Sequence, residues 1–359
     1  MAEKIIRVGI AGQGRSGFDI HARWLREAPH QYKIVAVADA LPQRRAQAAK
    51  EFSCRTYKDY KELIAQKDLD LFINALPSFL HPSVTTAALK AGHNVVSEKP
   101  AATKVVDFDK VVAAATKARR LYAQFQNSRF YPFFVKLQDI IASGVIGRVL
   151  HISANWSGYA RRWDWQTMQE KWGGNLNNTG PHPLDQAIML FGPKMPNVFC
   201  RMVSGPNTVG DADDLTMLTF YGKGSPIIDI TISSYQAYGR GEMYNVCGTC
   251  GGITGGPRSL KWKYFDPKKV GKLKLWKPWS LDRQYCKEDL PWVEETWTAP
   301  TELDDFQHNS RAFYNNIYDV LVNKAELIVK PEQVRRQVAV IEECHRQNKL
   351  PNMKNKKWC

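Results

Sequence analysis

The stretch "IIRVGIAGQGRSGFDIHARWLREA", residues 5–28, decides the fold. An apolar run leads into Gly12, Gly14 and Gly17, and residues with helical spacing follow. This is the GxGxxG pattern in the strand–turn–helix setting that it requires. Gly12 permits the tight turn, Gly14 lets the backbone approach a pyrophosphate, and Gly17 lets helix and strand pack closely. The stretch therefore predicts a dinucleotide site with the phosphates at the helix N-terminus.

A second apolar run, "YKIVAVAD", ends in Asp39, 22 residues after Gly17. A carboxylate at this position accepts hydrogen bonds from a ribose 2′-hydroxyl and repels a 2′-phosphate. Arg44 and Arg45 weaken this preference a little, although both are equally suited to lining the adenine. We therefore expect NAD, in preference to NADP, as the cofactor.

Strand and helix patterns keep alternating up to about residue 127. This alternation predicts an α/β fold, a doubly wound parallel sheet of the Rossmann type over residues 1–127. One of its strands, "NVVSEKP", ends in Glu98, Lys99 and Pro100. Open α/β sheets bind their ligands beyond the carboxyl ends of the strands, so we expect Lys99 to point into the cofactor crevice.

The overall composition limits the class of protein. A chain of 359 residues exceeds one ordinary core and predicts two domains, and 44% apolar with 24% charged residues is typical of soluble proteins. Residues 1–14 contain no signal-peptide pattern, and no apolar run approaches the roughly 20 residues needed to span a bilayer, so we expect a cytoplasmic protein without a membrane partner. The seven cysteines are scattered and predict free thiols. Cys247 and Cys250 lack the two further ligands of a zinc site, so no metal is expected.

The net charge of +15 would suit a nucleic acid, an acidic partner or an anionic cofactor. Much of it is local, because residues 261–279 hold seven lysines and residues 352–359 hold three. No nucleic-acid-binding motif surrounds either segment, so we expect a solvated face and no nucleic-acid partner. Residues 261–279 are interpreted as a solvated hairpin, with a roof over the site or a subunit contact as alternatives.

The stretch "GGNLNNTGPHPLDQAIMLFG", residues 173–192, places His182 between two prolines, Pro181 and Pro183. Each proline disfavours the helical region at the residue before it, and proline in a first turn predicts that a helix starts here. We therefore expect Gly180 and His182 outside the helical region, with His182 at a helix N-terminus. Such a terminus disfavours imidazolium, which suits a neutral base for a hydroxyl proton. The alternative is a capping or core histidine.

These motifs and the "LPSFLH" turn at residues 76–81 together resemble the Gfo/Idh/MocA oxidoreductases, relatives of glucose–fructose oxidoreductase and inositol dehydrogenase. The resemblance covers nearly the whole chain in order. It implies a second, α+β domain over residues 128–359 with a large, mainly antiparallel open sheet, whose exposed face favours a homo-oligomer. It also implies that Lys99 and His182 flank the reacting carbinol, and that the Lys99–Pro100 bond is cis.

One position departs from the family pattern, since Asn178 stands where the family usually has aspartate. An amide hydrogen-bonds a sugar hydroxyl as donor and as acceptor. It shares no proton with His182 and offsets no charge on Lys99, so these two residues are expected to do more of the acid–base work. Asp185 either orients His182 and the substrate or caps the helix.

The loop over residues 156–174 is rich in aromatic and basic side chains. Aromatic faces stack on the C–H faces of sugar rings, so Tyr159 and Trp163 are expected to bind substrate together with Lys171; packing at the domain junction is the alternative. Together with "NNTGPHPLDQ", the loop resembles bacterial glucoside 3-dehydrogenases. The resemblance implies NAD-dependent oxidation of a ring hydroxyl, at C3, of a sugar or glucoside, with a possible deglycosylating partner enzyme downstream.

Three alternatives stay open. They are an NAD-dependent glycosidase that recycles its bound cofactor, an inositol or polyol dehydrogenase, and a non-enzymatic NAD-binding sensor. For the enzyme, the expected catalytic residues are Lys99 and His182, and the expected substrate-binding residues are Asn178, Tyr159, Trp163, Lys171 and Asp185. The expected cofactor-binding residues are Gly12, Gln13, Gly14, Arg15, Ser16, Gly17, Asp39, Arg44, Leu76, Pro77, His81, Glu98, Lys99 and Asn127.

Overall fold

A computed structural model describes residues 4–239, 241–277, 283, 285–302 and 304–353. Within these residues the chain forms two β-sheets. The strands of the first sheet are β1 (Ile6–Ala11), β2 (Tyr32–Ala38), β3 (Arg55–Tyr57), β4 (Leu71–Asn74), β5 (Asn94–Ser97) and β6 (Tyr122–Gln124). They pair in parallel in the order β3-β2-β1-β4-β5-β6, which confirms the predicted Rossmann-type sheet.

The strand order reverses between β1 and β4, and this point locates the ligand crevice. Doubly wound sheets bind ligands beyond the carboxyl ends of the strands at such a switch point. Strand β1 is buried from Val8 to Ala11, as expected for a parallel strand covered on both faces. The segments that follow β1, β4, β5 and β6 therefore meet at one edge of the sheet.

Helices connect the strands of this sheet. They are α1 (Arg23–Glu27), α2 (Pro42–Phe52), α3 (Tyr60–Ile64), α4 (His81–Lys90) and α5 (Val105–Ala118). The segment after the glycine loop differs from the expected regular helix, because Ser16–Ala22 is a π-helix that runs directly into α1. Such wider turns are rare and frequently occur at functional sites.

The second sheet has eight strands. They are β7 (Val149–Asn155), β8 (Asn197–Val203), β9 (Leu215–Tyr221), β10 (Ile227–Ser233), β11 (Tyr244–Gly248), β12 (Gly251–Gly256), β13 (Ser259–Tyr264) and β14 (Val293–Thr298). Their order is β14-β13-β12-β11-β7-β10-β9-β8, and the β7–β10 pair is parallel while the other pairs are antiparallel. This arrangement confirms the mainly antiparallel sheet that was expected.

One face of the second sheet is covered by helices. The remaining α-helices are α6 (Pro132–Ala142), α7 (Asn175–Asn178), α8 (Pro181–Phe191), α9 (Asp305–Tyr318) and α10 (Pro331–Gln347), and a short π-helix, Asp319–Asn323, continues α9. Helices α6, α8 and α10 pack on the sheet, and the apolar side chains between them form a second core. Residues on the covered face of β9, such as Leu218 and Phe220, are buried, whereas Met217 and Tyr221 on the other face are exposed.

The C-terminal part of the chain returns to the first domain. Phe313, Tyr314 and Ile317 of α9 are buried in the core around the parallel sheet. Helix α10 joins both cores, with Val338 in the first and Ile341 in the second. Residues beyond the predicted boundary at 127 therefore help to build the Rossmann domain.

Three further expectations concern groups outside the site. The six cysteines of the described part, Cys54, Cys200, Cys247, Cys250, Cys286 and Cys344, are free thiols, and Cys359 lies outside the described residues. In residues 261–279, β13 is followed by an exposed stretch up to Lys277, and positions 278 and 279 are not among the described residues. No helix within the described ranges is both long and apolar enough to cross a bilayer.

Candidate active site

The loop between β1 and the π-helix is packed backbone against backbone. Gly12 has φ of +92°, and a Cβ there would lie 2.5 Å from the carbonyl oxygen of Ala75. A Cβ on Gly17 would lie 1.8 Å from the carbonyl oxygen of Gly12. Gly14 is open by contrast, since its nearest neighbour would be Arg44 Nη1 at 3.7 Å. The loop thus leaves a cradle at Gly14 that fits a pyrophosphate, as the pattern predicts.

Asp39 lies beside this loop, at the end of β2. Its Oδ2 accepts a hydrogen bond from Gln13 N at 2.8 Å, and its Oδ1 accepts one from Leu41 N at 2.9 Å. Arg44 Nη1 lies 3.5 Å from Oδ2, whereas Arg45 donates to the backbone oxygen of Asp39 at 2.7 Å. Each carboxylate oxygen keeps acceptor capacity for a ribose hydroxyl. The residues present therefore fit NAD.

His81 differs from the prediction that it binds the cofactor. It is buried, and its Nδ1 and Nε2 lie 2.8 Å from the carbonyl oxygens of Pro100 and Leu76. Both ring nitrogens therefore face carbonyl oxygens inside the protein, and the one that carries the proton donates. The side chain lies between the turn after β4 and the turn after β5. The Lys99–Pro100 peptide bond in the latter turn is cis, as the resemblance implies.

Lys99 and Asn178 meet across the two domains. Lys99 Nζ donates to the carbonyl oxygen of Asn178 at 2.7 Å and lies 3.4 Å from its side-chain oxygen. Burial lowers the pKa of Lys99, the charge of Glu98 opposes this, and Arg15 and Arg162 lower it further. The strand-end lysine of the first domain and the motif of the second domain are thus brought together.

His182 lies in the first turn of α8, which begins at Pro181, two residues before the expected start at about Pro183. The expectation that Gly180 and His182 avoid the helical region was wrong, because Gly180 has φ of −52° and ψ of −35° and His182 is helical. Pro183 is tolerated there because the first N–H groups of a helix lack partners within it. Since Gly180 N also bonds Asn175 O at 2.8 Å, α7 runs almost directly into α8.

The environment of His182 favours a neutral ring. Burial lowers its pKa to about 3, aided by the charges of Lys99 and Arg15 and opposed by Glu98. The ring stacks on Trp156, with centroids 6.0 Å apart and planes 17° from parallel. This direction agrees with the predicted neutral state, with burial as its first cause and the neighbouring cations Lys99 and Arg15 adding to it.

Ser128 is a residue that the sequence analysis missed. Its Oγ lies 3.2 Å from His182 Nδ1. If Ser128 accepts the Nδ1 proton, the neutral ring keeps a free lone pair on Nε2, the nitrogen that a base needs. Gln186 holds the Ser128 carbonyl oxygen at 2.7 Å. Ser128 follows β6, so the rule that singled out Lys99 at a strand end also applies to it.

Asp185 has a different role from those expected. It is buried, and both of its oxygens bind the guanidinium of Arg129, with Nε–Oδ2 at 2.9 Å. Arg129 also donates to the carbonyl oxygen of Ile328 at 3.1 Å. The prediction that Asp185 binds substrate or orients His182 is therefore corrected: this ion pair fixes α8 against the turn after β6.

The loop over residues 156–174 is divided between two environments. Trp156, Tyr159 and Arg162 line a cavity of about 210 Å³ together with Asn175, Thr179 and Ser234. Trp163 is 79% exposed and Tyr159 is 59% exposed. Lys171 lies elsewhere, with Nζ 4.7 Å from the ring centre of Phe79. Because Trp156 also stacks on His182, the cavity adjoins the candidate base.

Two further expected residues are positioned as follows. Glu98 is 4% exposed, and its Oε1 lies 3.2 Å from Nε2 of the buried His21. Asn127 begins the short helical turn after β6, next to Ser128. Among the described residues, no group of three or more His, Cys, Asp or Glu side chains is arranged to hold a metal ion.

Comparisons with known proteins agree with this architecture. The model of an oxidoreductase family with an NAD-binding Rossmann fold, GFO/IDH/MocA, matches residues 6–125, and the model of the GFO/IDH/MocA C-terminal domain matches residues 134–254. An uncharacterized oxidoreductase of Schizosaccharomyces pombe is 25% identical over 95% of this chain and 96% of its own. A scyllo-inositol 2-dehydrogenase (NADP(+)) of Bacillus subtilis is 25% identical over 75% of this chain and 77% of its own.

A solved structure shows the same fold. The WlbA dehydrogenase from Bordetella pertussis, in complex with NADH and UDP-GlcNAcA, superposes with a TM-score of 0.78. Its sequence identity is 20%, and the superposition covers 97% of this chain and 96% of that chain.

Proposed function

Because the chain belongs to the Gfo/Idh/MocA family of NAD-binding oxidoreductases, we propose that it oxidises a ring hydroxyl of a sugar or glycoside. The observation that carries the proposal is the meeting of Lys99 with Asn178, 79 positions apart and in different domains. The buried ring of His182 is close enough for the charge of Lys99 to lower its pKa. An alcohol is oxidised only if its hydroxyl proton is removed while its carbon gives up two electrons. The crevice supplies a base for that proton and a cation for the oxygen.

The cofactor and the chain have separate tasks. Bound NAD supplies the two-electron acceptor for the carbinol carbon. The glycine loop, Asp39, Arg44 and the turn at Leu76 and Pro77 would hold it, together with Asn127 in the turn after β6. No described group in this set needs to change protonation, so the acid–base work falls to the residues beyond the strand ends.

His182 is the base in this proposal. Its Nε2 takes the hydroxyl proton, and Ser128 holds Nδ1 in the matching tautomer. Lys99 donates a hydrogen bond to the same substrate oxygen and stabilises the negative charge that develops there. Asn178 keeps the ammonium in position through its backbone oxygen and offers its amide to a neighbouring hydroxyl.

The cavity next to His182 supports a sugar as the substrate class. Trp156 and Tyr159 present aromatic faces suited to the C–H faces of a pyranose, and Asn175, Thr179 and Ser234 offer polar groups for its hydroxyls. Trp163 is exposed and directly follows Arg162, which lines the cavity, so it is the residue of this loop that we assign to the aglycone. We propose oxidation at C3 of a glucoside, after which the acidified C2 hydrogen permits loss of the aglycone by this or a partner enzyme in the cytoplasm.

An inositol or polyol dehydrogenase is the second candidate, and the similarity to the Bacillus subtilis enzyme favours it. The purified protein with NAD should be incubated with glucosides, free sugars and inositols while absorbance at 340 nm is followed. Stoichiometric NADH with glucosides supports the proposal, and NADH with inositols alone supports the second candidate. Aglycone release without NADH indicates a cofactor-recycling glycosidase. NAD binding without turnover of any compound contradicts both oxidoreductase proposals and favours a sensor.

We also propose that a second copy of the chain covers the open face of the second sheet. Large apolar side chains stand exposed there on three neighbouring strands: Phe199, Val203, Met217, Tyr221 and Ile227. Single exposed apolar residues are normal, but a patch of this kind marks an interaction surface. Light scattering should give a multiple of the 40.9 kDa protomer mass, and Met217→Lys should lower it. A monomeric wild type contradicts this proposal.

A further inference from the structure

Three buried polar side chains, Tyr314, His21 and Glu98, contact one another in sequence and form a polar chain that ends next to Lys99. They line none of the cavities described above. His21 lies on the π-helix and is fully buried. Its Nδ1 is 2.6 Å from the hydroxyl of Tyr314, which α9 brings from the far end of the sequence. Its Nε2 is 3.2 Å from Glu98 Oε1, although the ring N–H is poorly aligned for a linear hydrogen bond. We therefore treat this second contact as electrostatic.

Glu98 connects this chain to the catalytic lysine. Its Oε2 accepts the backbone N–H of Lys99 at 3.0 Å. Burial alone would raise the pKa of Glu98, but the contact with His21 and the charge of Lys99 together lower it to about 2. An ionised carboxylate is thus held inside the protein, immediately before Lys99.

The donor and the acceptor of each contact in this polar chain can be assigned. Burial raises the pKa of Tyr314, so its hydroxyl stays protonated and can donate to His21 Nδ1. With Tyr314 as the donor to Nδ1, the ring carries its proton on Nε2, the nitrogen that lies 3.2 Å from Glu98 Oε1. Tyr32 has another role in the same cluster, because its hydroxyl donates to the backbone oxygen of Tyr314 at 2.6 Å and only fixes α9.

We propose that Tyr314, His21 and Glu98 form a relay of positioning residues that sets the proton affinity of Lys99. The charged groups that act on Lys99 are Glu98 from its own strand end, Arg15 from the glycine loop and Arg162 from the second domain. Glu98 counters the two arginines, and His21 and Tyr314 keep it ionised and in place. Tyr314 of α9 therefore influences the proton affinity of the catalytic lysine through His21 and Glu98. This inference deepens the proposed function and rests on it for the catalytic role of Lys99.

The test measures Lys99 directly, without substrate. The full-length protein is acetylated with trace acetic anhydride across a pH range, and the Lys99 peptide is quantified by mass spectrometry. Glu98→Gln removes the negative charge, which disfavours the ammonium and leaves more free amine. The labelling rate of Lys99 near neutral pH should rise roughly tenfold, since one nearby opposite charge shifts a pKa by about one unit or more. An unchanged rate would overturn the relay.

Two tyrosine variants distinguish an effect of the relay on Lys99 labelling from an effect of altered packing of α9. Tyr314→Phe removes the hydroxyl that orients His21, so Lys99 labelling should rise in the same direction as in Glu98→Gln but by less. Tyr32→Phe deletes a buried hydroxyl from the same cluster without touching His21, so its labelling curve should match wild type. Equal effects of the two variants would show that only the packing of α9 matters and would contradict the relay. Thermal unfolding and NAD affinity confirm that both variants are folded.

The experiments distinguish a failure of the relay from a failure of the proposed catalytic role of Lys99. If Glu98→Gln and Tyr314→Phe change Lys99 labelling while a Lys99→Met protein still oxidises substrate at the wild-type rate, the relay stands and the catalytic assignment fails. If Lys99→Met is inactive but labelling of Lys99 is the same in all relay variants, the assignment stands and the relay fails.

Discussion

The two sides of the crevice are built by different means. On the cofactor side, backbone packs on backbone: Gly12 lies against Ala75, and Gly17 against Gly12, at distances that exclude a Cβ. On the substrate side, side chains meet across long separations, as Arg129 does with Asp185 and Lys99 with Asn178. A local pattern of residues is sufficient to predict the first kind of site. The second kind depends on the tertiary fold and is predicted from sequence only where a strand end or a motif points to it.

The largest expected effect concerns the ion pair that fixes α8. Asp185→Ala leaves Arg129 charged, buried and without its carboxylate, and breaking such a pair destabilises proteins by about 3–5 kcal/mol. Urea unfolding followed by tryptophan fluorescence should show a loss of this size. The control is Asp109→Ala, which breaks the exposed pair with Arg335 and should change stability little. Equal losses in both variants would show that the buried pair does not hold the substrate side.

The glycine loop offers the corresponding test on the cofactor side. Gly17→Ala forces a Cβ against the backbone and should destabilise the protein by about 1–3 kcal/mol. Gly14→Ala meets no close neighbour in the protein, so its stability should match wild type while its added methyl group fills the pyrophosphate cradle. Thermal unfolding and NAD calorimetry should therefore separate stability from binding. Normal NAD affinity in Gly14→Ala would show that the cradle lies elsewhere.

Asp39 has a smaller expected effect on cofactor choice. Asp39→Ala removes acceptors for the ribose hydroxyls and the repulsion of a 2′-phosphate, and it frees Arg44 from its ion pair. NAD affinity should fall roughly tenfold, equivalent to the loss of about one charge-assisted hydrogen bond, and NADP affinity should rise. Calorimetric titration of both nucleotides measures the ratio. Tighter binding of NADP than of NAD by the wild type would contradict the assignment of Asp39.

The smallest expected effect is a shift in pH dependence. With the pKa of His182 lowered to about 3, the ring stays neutral well below pH 6.5, so kcat for oxidation should not fall between pH 7 and 6 through His182 protonation. Asn178→Asp adds a carboxylate near His182 and Lys99, which favours imidazolium and should move the acid limb to higher pH. Rate profiles of the two proteins test this. A wild-type limb near pH 6.5 that is unaffected by Asn178→Asp would exclude His182 as the titrating base.

The same pKa predicts a trend in stability. The folded protein holds His182 neutral while the unfolded chain protonates it near pH 6.5, so the unfolded state binds more protons between these values. The contribution of His182 is therefore fully present above about pH 6.5 and is lost as the pH falls toward 3. His182→Gln should show a weaker loss of stability over this range.

Much of the cofactor side could be predicted from the sequence because its determinants are local. Gly12, Gly14, Gly17, Asp39 and Lys99 each follow a strand, and the parallel sheet brings strand ends to one edge. His81 was assigned to the cofactor by its place in a motif, but its two nitrogens bind backbone oxygens that come from different turns. Only the folded chain shows that these turns lie next to each other.

On the substrate side, several contacts could not be predicted from local sequence patterns. A neutral His182 was predicted from a helix terminus, whereas in the folded chain burial and the charge of Lys99 are what lower its pKa. Asp185 follows His182 by three residues, but its partner Arg129 lies 56 positions away. The return of α9 to the first core placed Tyr314 beside His21, 293 positions apart, and no periodicity or motif indicates that contact.

The central claim is that Lys99 and His182 act on one substrate oxygen. It is tested most directly by the single-turnover rate of NAD reduction in Lys99→Met, His182→Asn and the double variant, with the substrate found in the glycoside panel. Each single change should slow the step by about 10²–10⁴-fold with NAD affinity preserved. The double variant should be little slower than the slower single variant, because groups that act as a unit are non-additive. Independent, multiplying losses, or a near wild-type rate in either single variant, would contradict the claim.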